Sequence, residues 1–225
     1  MSIRWLVRHG LILGAMSALI GWACMFDAVA HVIHFAMQHS AMASAAEKNN
    51  VSEVKRLLEI GANPDAVGSH NIHPLMIAIE KGNISIFNLL LQHGAKVEGT
   101  DLIGMRPLHY AAGANKFAMA EVLIAKGANV RARASNGLTP LHLAAGCGSV
   151  PIARLLVKHG ARINSPNFTK ETPLMEATAN NHKAMVEYLL ANKASVRLKD
   201  NRGLTAESIA REKGYKDLVA MLHKR

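Results

Sequence analysis

A period of 33 residues runs through most of this chain. The first marker is a short segment in which one residue precedes Pro-Leu, and it begins at His73, Arg106, Thr139 and Thr172. The second marker, Gly-Ala or Lys-Ala, keeps the same interval and begins at Gly61, Gly94, Gly127, Gly160 and Lys193. Two separate markers in one register indicate internal repetition. A fixed period of this length predicts a stack of repeated units instead of one closed core.

Each unit is predicted to be a helix, a tight turn and a second helix, followed by an extended loop. Thr139 and Thr172 suit a helix N-cap, where a hydroxyl accepts a hydrogen bond from a free backbone N–H, and the proline that follows suits the first helical position. The second helix is amphipathic; in the second unit Ile84, Phe87, Leu90 and Leu91 share one face. Neither helix buries its apolar face alone, so each unit must pack against its neighbours.

The segment 139–145, Thr-Pro-Leu-His-Leu-Ala-Ala, followed by Gly148 and the Gly-Ala pair at Gly160, closely resembles the ankyrin repeat. The resemblance covers about residues 40–225. It implies an all-α repeat solenoid of stacked helix-turn-helix units with projecting loops or β-hairpins. It also implies that Thr139, His142 and His109 make bridging hydrogen bonds within and between units. Met76 and Met175 replace the histidine in two units, which we expect to lose bonds worth about 1 kcal/mol each.

The period divides residues 41–225 into six units. Their predicted bounds are 41–72, 73–105, 106–138, 139–171, 172–204 and 205–225. The first unit lacks the opening motif, as expected of a terminal repeat. In the last unit Glu207 stands where Leu141 and Leu174 stand. A carboxylate is acceptable there if no further unit covers it, so the first and last units are predicted to be caps.

The repeats leave little room for an enzyme site. Catalysis needs acids, bases, nucleophiles or metal ligands that converge in a pocket, and no insertion is long enough to hold one. No glycine-rich phosphate-binding motif is present in the sequence. Cys147, the single thiol of the array, is expected to be a small half-buried side chain. We therefore predict a non-catalytic protein without a cofactor or a catalytic metal.

Binding is the alternative that the resemblance favours. Ankyrin repeats usually meet a protein partner through the loop tips and the end of the first helix. The tip positions here are Ser69, His70, Leu102, Ile103, Met105, Ser135, Asn136, Phe168, Thr169, Asn201 and Arg202. The first-helix positions are Glu80, Lys81, Gly113, Ala114, Gly146, Cys147, Ala179 and Asn180. Leu102, Ile103 and Phe168 are expected to contact the partner, although apolar tips can also fold back between adjacent loops, as expected for Leu138 and Leu204.

The chain is basic, with a formal net charge of +10, and the excess lies in the repeats. Many of these charges fall on the later loops: Arg131, Arg133, Arg162, Lys170, Arg197, Lys199 and Arg202. Such an edge attracts anionic lipid or acidic polymers, although solvated charges also serve solubility. No aromatic residues are interleaved for base stacking, which argues against specific nucleic-acid binding. We expect a monomer with a protein partner and, as an alternative, weak contact with an anionic surface.

The N-terminal segment has a different composition. Arg4 and Arg8 precede an uncharged apolar run over residues 10–26, and Ala-Val-Ala follows at 28–30. This pattern predicts a signal peptide or a membrane anchor over residues 1–30, and a buried capping helix remains an alternative. Residues 31–40 are predicted to form a short linker or capping helix. His31 and His34 share a helical face there and could bind a metal, but no carboxylate or cysteine completes the set, so no metal site is predicted. The positive-inside rule places the repeats on the non-cytoplasmic side, whether membrane-anchored or secreted.

Overall fold

The computed structural model describes residues 41–68 and 71–223, in which there are twelve helices and no strands. Helix α1 covers residues 41–47. The others are α2 Val51–Glu59, α3 Pro74–Lys81, α4 Ile84–Gln92, α5 Pro107–Gly113, α6 Phe117–Ala125, α7 Pro140–Gly146, α8 Val150–Lys158, α9 Pro173–Ala179, α10 Lys183–Ala191, α11 Ala206–Glu212 and α12 Lys216–His223.

The helices form two layers. The first helices of successive units pack side by side in the order α3, α5, α7, α9 and α11. Among the second helices, α2 packs against α4, α6 against α8, and α8 against α10. From the second unit onwards, each helix also packs against the other helix of its own unit, as α7 does against α8. Contacts therefore run between neighbours along a line, as expected of a solenoid. The prediction of an all-α repeat solenoid is confirmed.

Local sequence explains where the helices begin and end. Proline opens α3, α5, α7 and α9, and in α9 the Thr172 hydroxyl accepts a hydrogen bond from Met175 N at 3.4 Å. At the end of α8, Gly160 has a φ of +92°, and Ala161 N donates to Leu156 O at 2.9 Å. Lys193 takes this left-handed conformation in the fifth unit with a φ of +66°. The second marker is thus the residue that stops each second helix.

The core is a continuous strip between units. Leu75, Leu108, Leu141 and Leu174 are all buried. In α5 and α7 a buried pair of alanines lies beside the leucine, and these small side chains let the first helices approach closely. In α4 the predicted apolar face is partly wrong, because Ile84 is 45% exposed. The buried stripe runs through Ile86, Phe87 and Leu90 instead. Ile84 is the first residue of the helix and projects beyond the contact with its neighbours.

The last unit carries a charged cluster at Glu207. The Glu207 carboxylate accepts a hydrogen bond from Arg211 Nη2 at 2.6 Å and lies 3.2 Å from His223 Nδ1. The hydrogen bond from Arg211 lowers the pKa of Glu207. A carboxylate at this leucine position is therefore compensated at the end of the array. No helix in the described part is long and apolar enough to cross a membrane; the predicted signal or anchor and His31 and His34 lie outside that part.

Candidate partner-binding surface

The loops between units end in tight turns. In each turn a backbone hydrogen bond joins the first and fifth residues: Asp101 N to Met105 O at 3.0 Å, Ala134 N to Leu138 O at 2.9 Å, Asn167 N to Glu171 O at 2.8 Å and Asp200 N to Leu204 O at 2.9 Å. A second bond runs from the N–H of the fourth residue to the carbonyl of the first. These projections are thus turns, and none of the described loops contains a regular strand. The 33-residue interval between the turns places one tip on each unit.

A buried polar side chain fixes three of the four turns. Asp101 Oδ1 accepts hydrogen bonds from Ile103 N at 3.0 Å and from Met105 N at 2.8 Å. Asn167 and Asp200 accept backbone hydrogen bonds in the same way, whereas Ala134 stands at the fourth position. None of these three residues is among the site residues predicted from the sequence. Their 33-residue spacing and the tendency of Asp and Asn to bond nearby backbone N–H groups would have found them.

Electrostatics strengthen the turn at Asp200. Burial raises the pKa of this carboxyl, but hydrogen bonds from Leu204 N and from the Arg202 side chain outweigh burial, so the net pKa is lowered. Arg202 Nε donates to Asp200 Oδ2 at 2.9 Å. The predicted partner-binding residue Arg202 therefore also holds its own loop, and its charge is balanced locally.

The tips are joined into a ladder. Ser135 N donates to Ile103 O at 2.8 Å, Phe168 N donates to Asn136 O at 3.0 Å, and Asn201 N donates to Thr169 O at 2.9 Å. Each of these bonds connects one loop to the next. The predicted tip residues of four loops thus lie along one surface, which we call the tip ladder: Leu102, Ile103, Met105, Ser135, Asn136, Phe168, Thr169, Asn201 and Arg202.

Three apolar side chains of the tip ladder are exposed. Leu102 is 69% exposed, Ile103 57% and Phe168 63%, whereas Met105 is half-buried. The Phe168 ring folds partly back, since the Arg133 guanidinium lies 5.3 Å from its centroid. The rest of the ring remains open. Ser69 and His70 lie outside the described residues.

Two histidines connect the helices to the ladder. His142 Nδ1 accepts a hydrogen bond from Thr139 N at 3.1 Å and lies 2.8 Å from the Thr139 hydroxyl. Its Nε2 lies 3.1 Å from Glu171 O in the next loop, where an N–H donates to that carbonyl. His109 makes the equivalent contacts with Arg106 N and Leu138 O. Each histidine thus bridges its helix to the loop at the end of its own unit, immediately before the next first helix.

These bridges require neutral histidines. Burial lowers the pKa of His142 to about 4 and also lowers that of His109. A second ring proton would remove the acceptor at Nδ1. Met175 stands at the corresponding position of the fifth unit, and a thioether cannot make such a bridge.

The ends of the first helices form the surface that we call the concave face. It differs from expectation at one residue. Cys147 was predicted to be half-buried, but it is exposed. Its Sγ donates to Ala112 O at 3.3 Å and lies at the end of α7, where the small neighbours Gly146 and Gly148 leave the side chain uncovered. Among the described residues, no three His, Cys, Asp or Glu side chains are grouped to hold a metal ion.

Between the loops of the third and fourth units, arginines line a cleft of about 180 Å³. Arg131, Arg133 and Arg162 surround it together with Thr139 and Ser165. Arg131 donates to Gly160 O at 2.7 Å and Arg133 to Pro166 O at 2.8 Å. No carboxylate of the described residues pairs with these three guanidinium groups, so this edge is positively charged.

Comparison with known protein families agrees with this architecture. A model described as "Ankyrin repeats (3 copies)" matches residues 15–101 and 98–167. A second, described as "Ankyrin repeats (many copies)", matches residues 156–210. The matches cover more than half of the chain, and the first begins inside the predicted signal or anchor. No curated protein sequence matches the chain.

Proposed function

Because the chain belongs to the ankyrin repeat family, we propose that it is a non-catalytic scaffold that binds a protein partner through its concave face and tip ladder. The observation that carries this proposal is the exposure of Leu102, Ile103 and Phe168 on two loops of the tip ladder, which the loop 134–138 connects. Large apolar side chains on a projecting surface favour a protein interface. The fold does not use these atoms, since the core lies between the helices.

The surroundings of these three residues also suit an interface. Protein interfaces combine an apolar centre with a polar rim that excludes water. Here Ser135, Asn136, Thr169 and Asn201 are exposed beside the apolar tips. The backbone bonds of the ladder hold the tips in place before binding, which reduces the entropy lost on association. The 33-residue period predicts that Ser69 and His70 belong to the same surface.

The tip ladder leads to a prediction about stability and binding. We expect the triple variant Leu102→Ser, Ile103→Ser and Phe168→Ser to bind the partner at least tenfold more weakly. The thermal midpoint should move little, because these side chains are mostly exposed. The measurement is crosslinking of the full chain followed by mass spectrometry to identify a partner, and then titration of that partner with each variant.

A matched control removes apolar side chains elsewhere. Ile60, Ile84 and Phe117 are exposed at the ends of the second helices α2, α4 and α6. Their joint change to serine should leave binding intact. A large loss of stability in the tip variant would show that the tips belong to the core. Binding that falls steeply with salt and ignores the tip variant would instead favour the alternative function, docking of the arginine-lined edge on anionic lipid or an acidic polymer.

We also propose that residues 1–30 export the repeats or tether them to a membrane. The support is the basic start, the apolar run and the small residues at 28–30 in the sequence. A reporter enzyme fused after Arg225 is expected to be active on the non-cytoplasmic side. Changing Arg4 and Arg8 to glutamate provides the control, because it removes the charge bias that sets orientation. Cytoplasmic activity of the unaltered fusion would contradict export.

A further inference from the structure

One carboxylate of the concave face has no counter-charge. Glu176 lies on α9 and is half-buried, yet its carboxylate accepts no hydrogen bond and forms no ion pair among the described residues. Burial raises the pKa of Glu176, and the nearby Glu171 adds to this effect. A partly desolvated charge without a partner costs the folded state free energy. A half-buried carboxylate without an ion pair suggests that a bound ligand supplies the positive charge.

The carboxylate adjoins a cleft of about 270 Å³. Leu138 and Leu143 provide apolar walls, and Gly113, Gly146 and Cys147 form a floor of small side chains. A Cβ added at Gly146 would lie 3.9 Å from Glu176 Oε2, so the glycine leaves the approach to the carboxylate open. The cleft is thus mostly apolar, with the neutral ring of His142 in its lining and one carboxylate at its edge.

Neighbouring units show that this carboxylate is particular to the fifth. The positions that correspond to Glu176 in the period are Ile77, Tyr110, Leu143 and Ile209, all uncharged. Packing of the solenoid therefore does not require an acid here. Arg202 and Lys213 line a second small cleft beside Glu176, but neither forms an ion pair with it. The guanidinium of Arg202 is held by Asp200 at 2.9 Å instead.

We propose that this cleft binds a lysine or arginine side chain of the protein partner, with the aliphatic stem against Leu138 and Leu143 and the cation on Glu176. The inference rests on the proposed scaffold function and adds the chemistry of the partner. Long basic side chains carry an apolar stem and a charged end. The stem matches the apolar walls of the cleft, and the charged end matches the carboxylate at its edge. A charge pair that is partly shielded from water also contributes more than one on an exposed rim.

The first test uses two probes that differ in charge alone. Acetyl-Leu-Arg-Leu amide and its citrulline counterpart, which is neutral and has nearly the same shape, are titrated into the full chain labelled with ¹⁵N. We expect the arginine probe to shift the amide resonances of Gly146 and Cys147 and to bind at least tenfold more tightly than the citrulline probe. Equal binding of both probes, or no shift at these amides, would overturn the proposal.

Two variants assign the effect to the cleft. Glu176→Gln should abolish the preference for arginine, whereas Glu187→Gln, on the exposed surface of α10, should preserve it. The Gln variant should be at least as stable as the original at neutral pH, because it removes a carboxylate whose ionised form is disfavoured by burial. Persistence of the preference in Glu176→Gln would contradict the assignment.

A third variant tests the shape of the cleft. The added Cβ at Gly146 makes only ordinary contacts, so Gly146→Leu is expected to fold and to fill the space beside Glu176. Binding of the arginine probe should then be lost. The two proposals fail separately: a partner released by the tip-ladder variant but unaffected by Glu176→Gln would leave the scaffold function standing and remove the cleft from it.

Discussion

Replacing Leu141 by alanine is expected to lower the free energy of unfolding by about 3 kcal/mol, within the range of roughly 2–5 kcal/mol for leucine-to-alanine changes in cores. Leu141 is completely buried in α7, which packs between α5 and α9. The change removes apolar contacts at the interfaces on both sides of the unit. In a linear stack no other part of the molecule replaces these contacts.

Urea unfolding of the full chain, followed by circular dichroism, measures this loss. Leu143→Ala is the matched control, because Leu143 lies on the same helix but is only half-buried on the concave face. Its cost should be clearly smaller. An equal loss of unfolding free energy in the two variants would show that the first helices do not bury Leu141 between units.

The second large effect concerns pH. An unfolded histidine has an ordinary pKa of 6.5, and burial in the folded chain lowers the pKa of His142 to about 4. The unfolded state therefore binds more protons between these values, so the folded state loses stability as pH falls from 6.5 towards 4. For His142 the loss between pH 7 and pH 4 is about 3 kcal/mol, and His109 adds to it in the same direction.

His142→Met isolates this contribution. Methionine occurs naturally at the equivalent positions Met76 and Met175, so the repeat accommodates its shape. The variant should be less stable at pH 7, where it lacks the bridge to Glu171 O, and should lose about 3 kcal/mol less than the original between pH 7 and pH 4. The raised pKa of Glu176 acts in the opposite direction, but it is common to both proteins and cancels in the comparison. Parallel pH profiles would refute the role of His142.

The period in the sequence was sufficient to predict the helix pairs. A proline at a helix start and a residue in the left-handed conformation at a helix end depend only on the local sequence. These signals can therefore be read separately in each unit that contains them. The sequence of α4 does not determine which of its residues are buried. This helix of nine residues has apolar side chains on more than one face, and contact with the neighbouring helices decides which face is buried. Ile84 was assigned to the core for this reason and proved to be exposed.

The sequence by itself determined the family, the register of the repeats and which loops project, because these depend on residues close together in one unit. Only the tertiary structure decided how the loops join, which tips stay open and where a charge is left without a partner. Ser135 and Ile103, or Glu176 and Gly146, are about one repeat apart in the chain, and stacking alone brings them together. Their juxtaposition depends on packing distances between units, which no local pattern specifies.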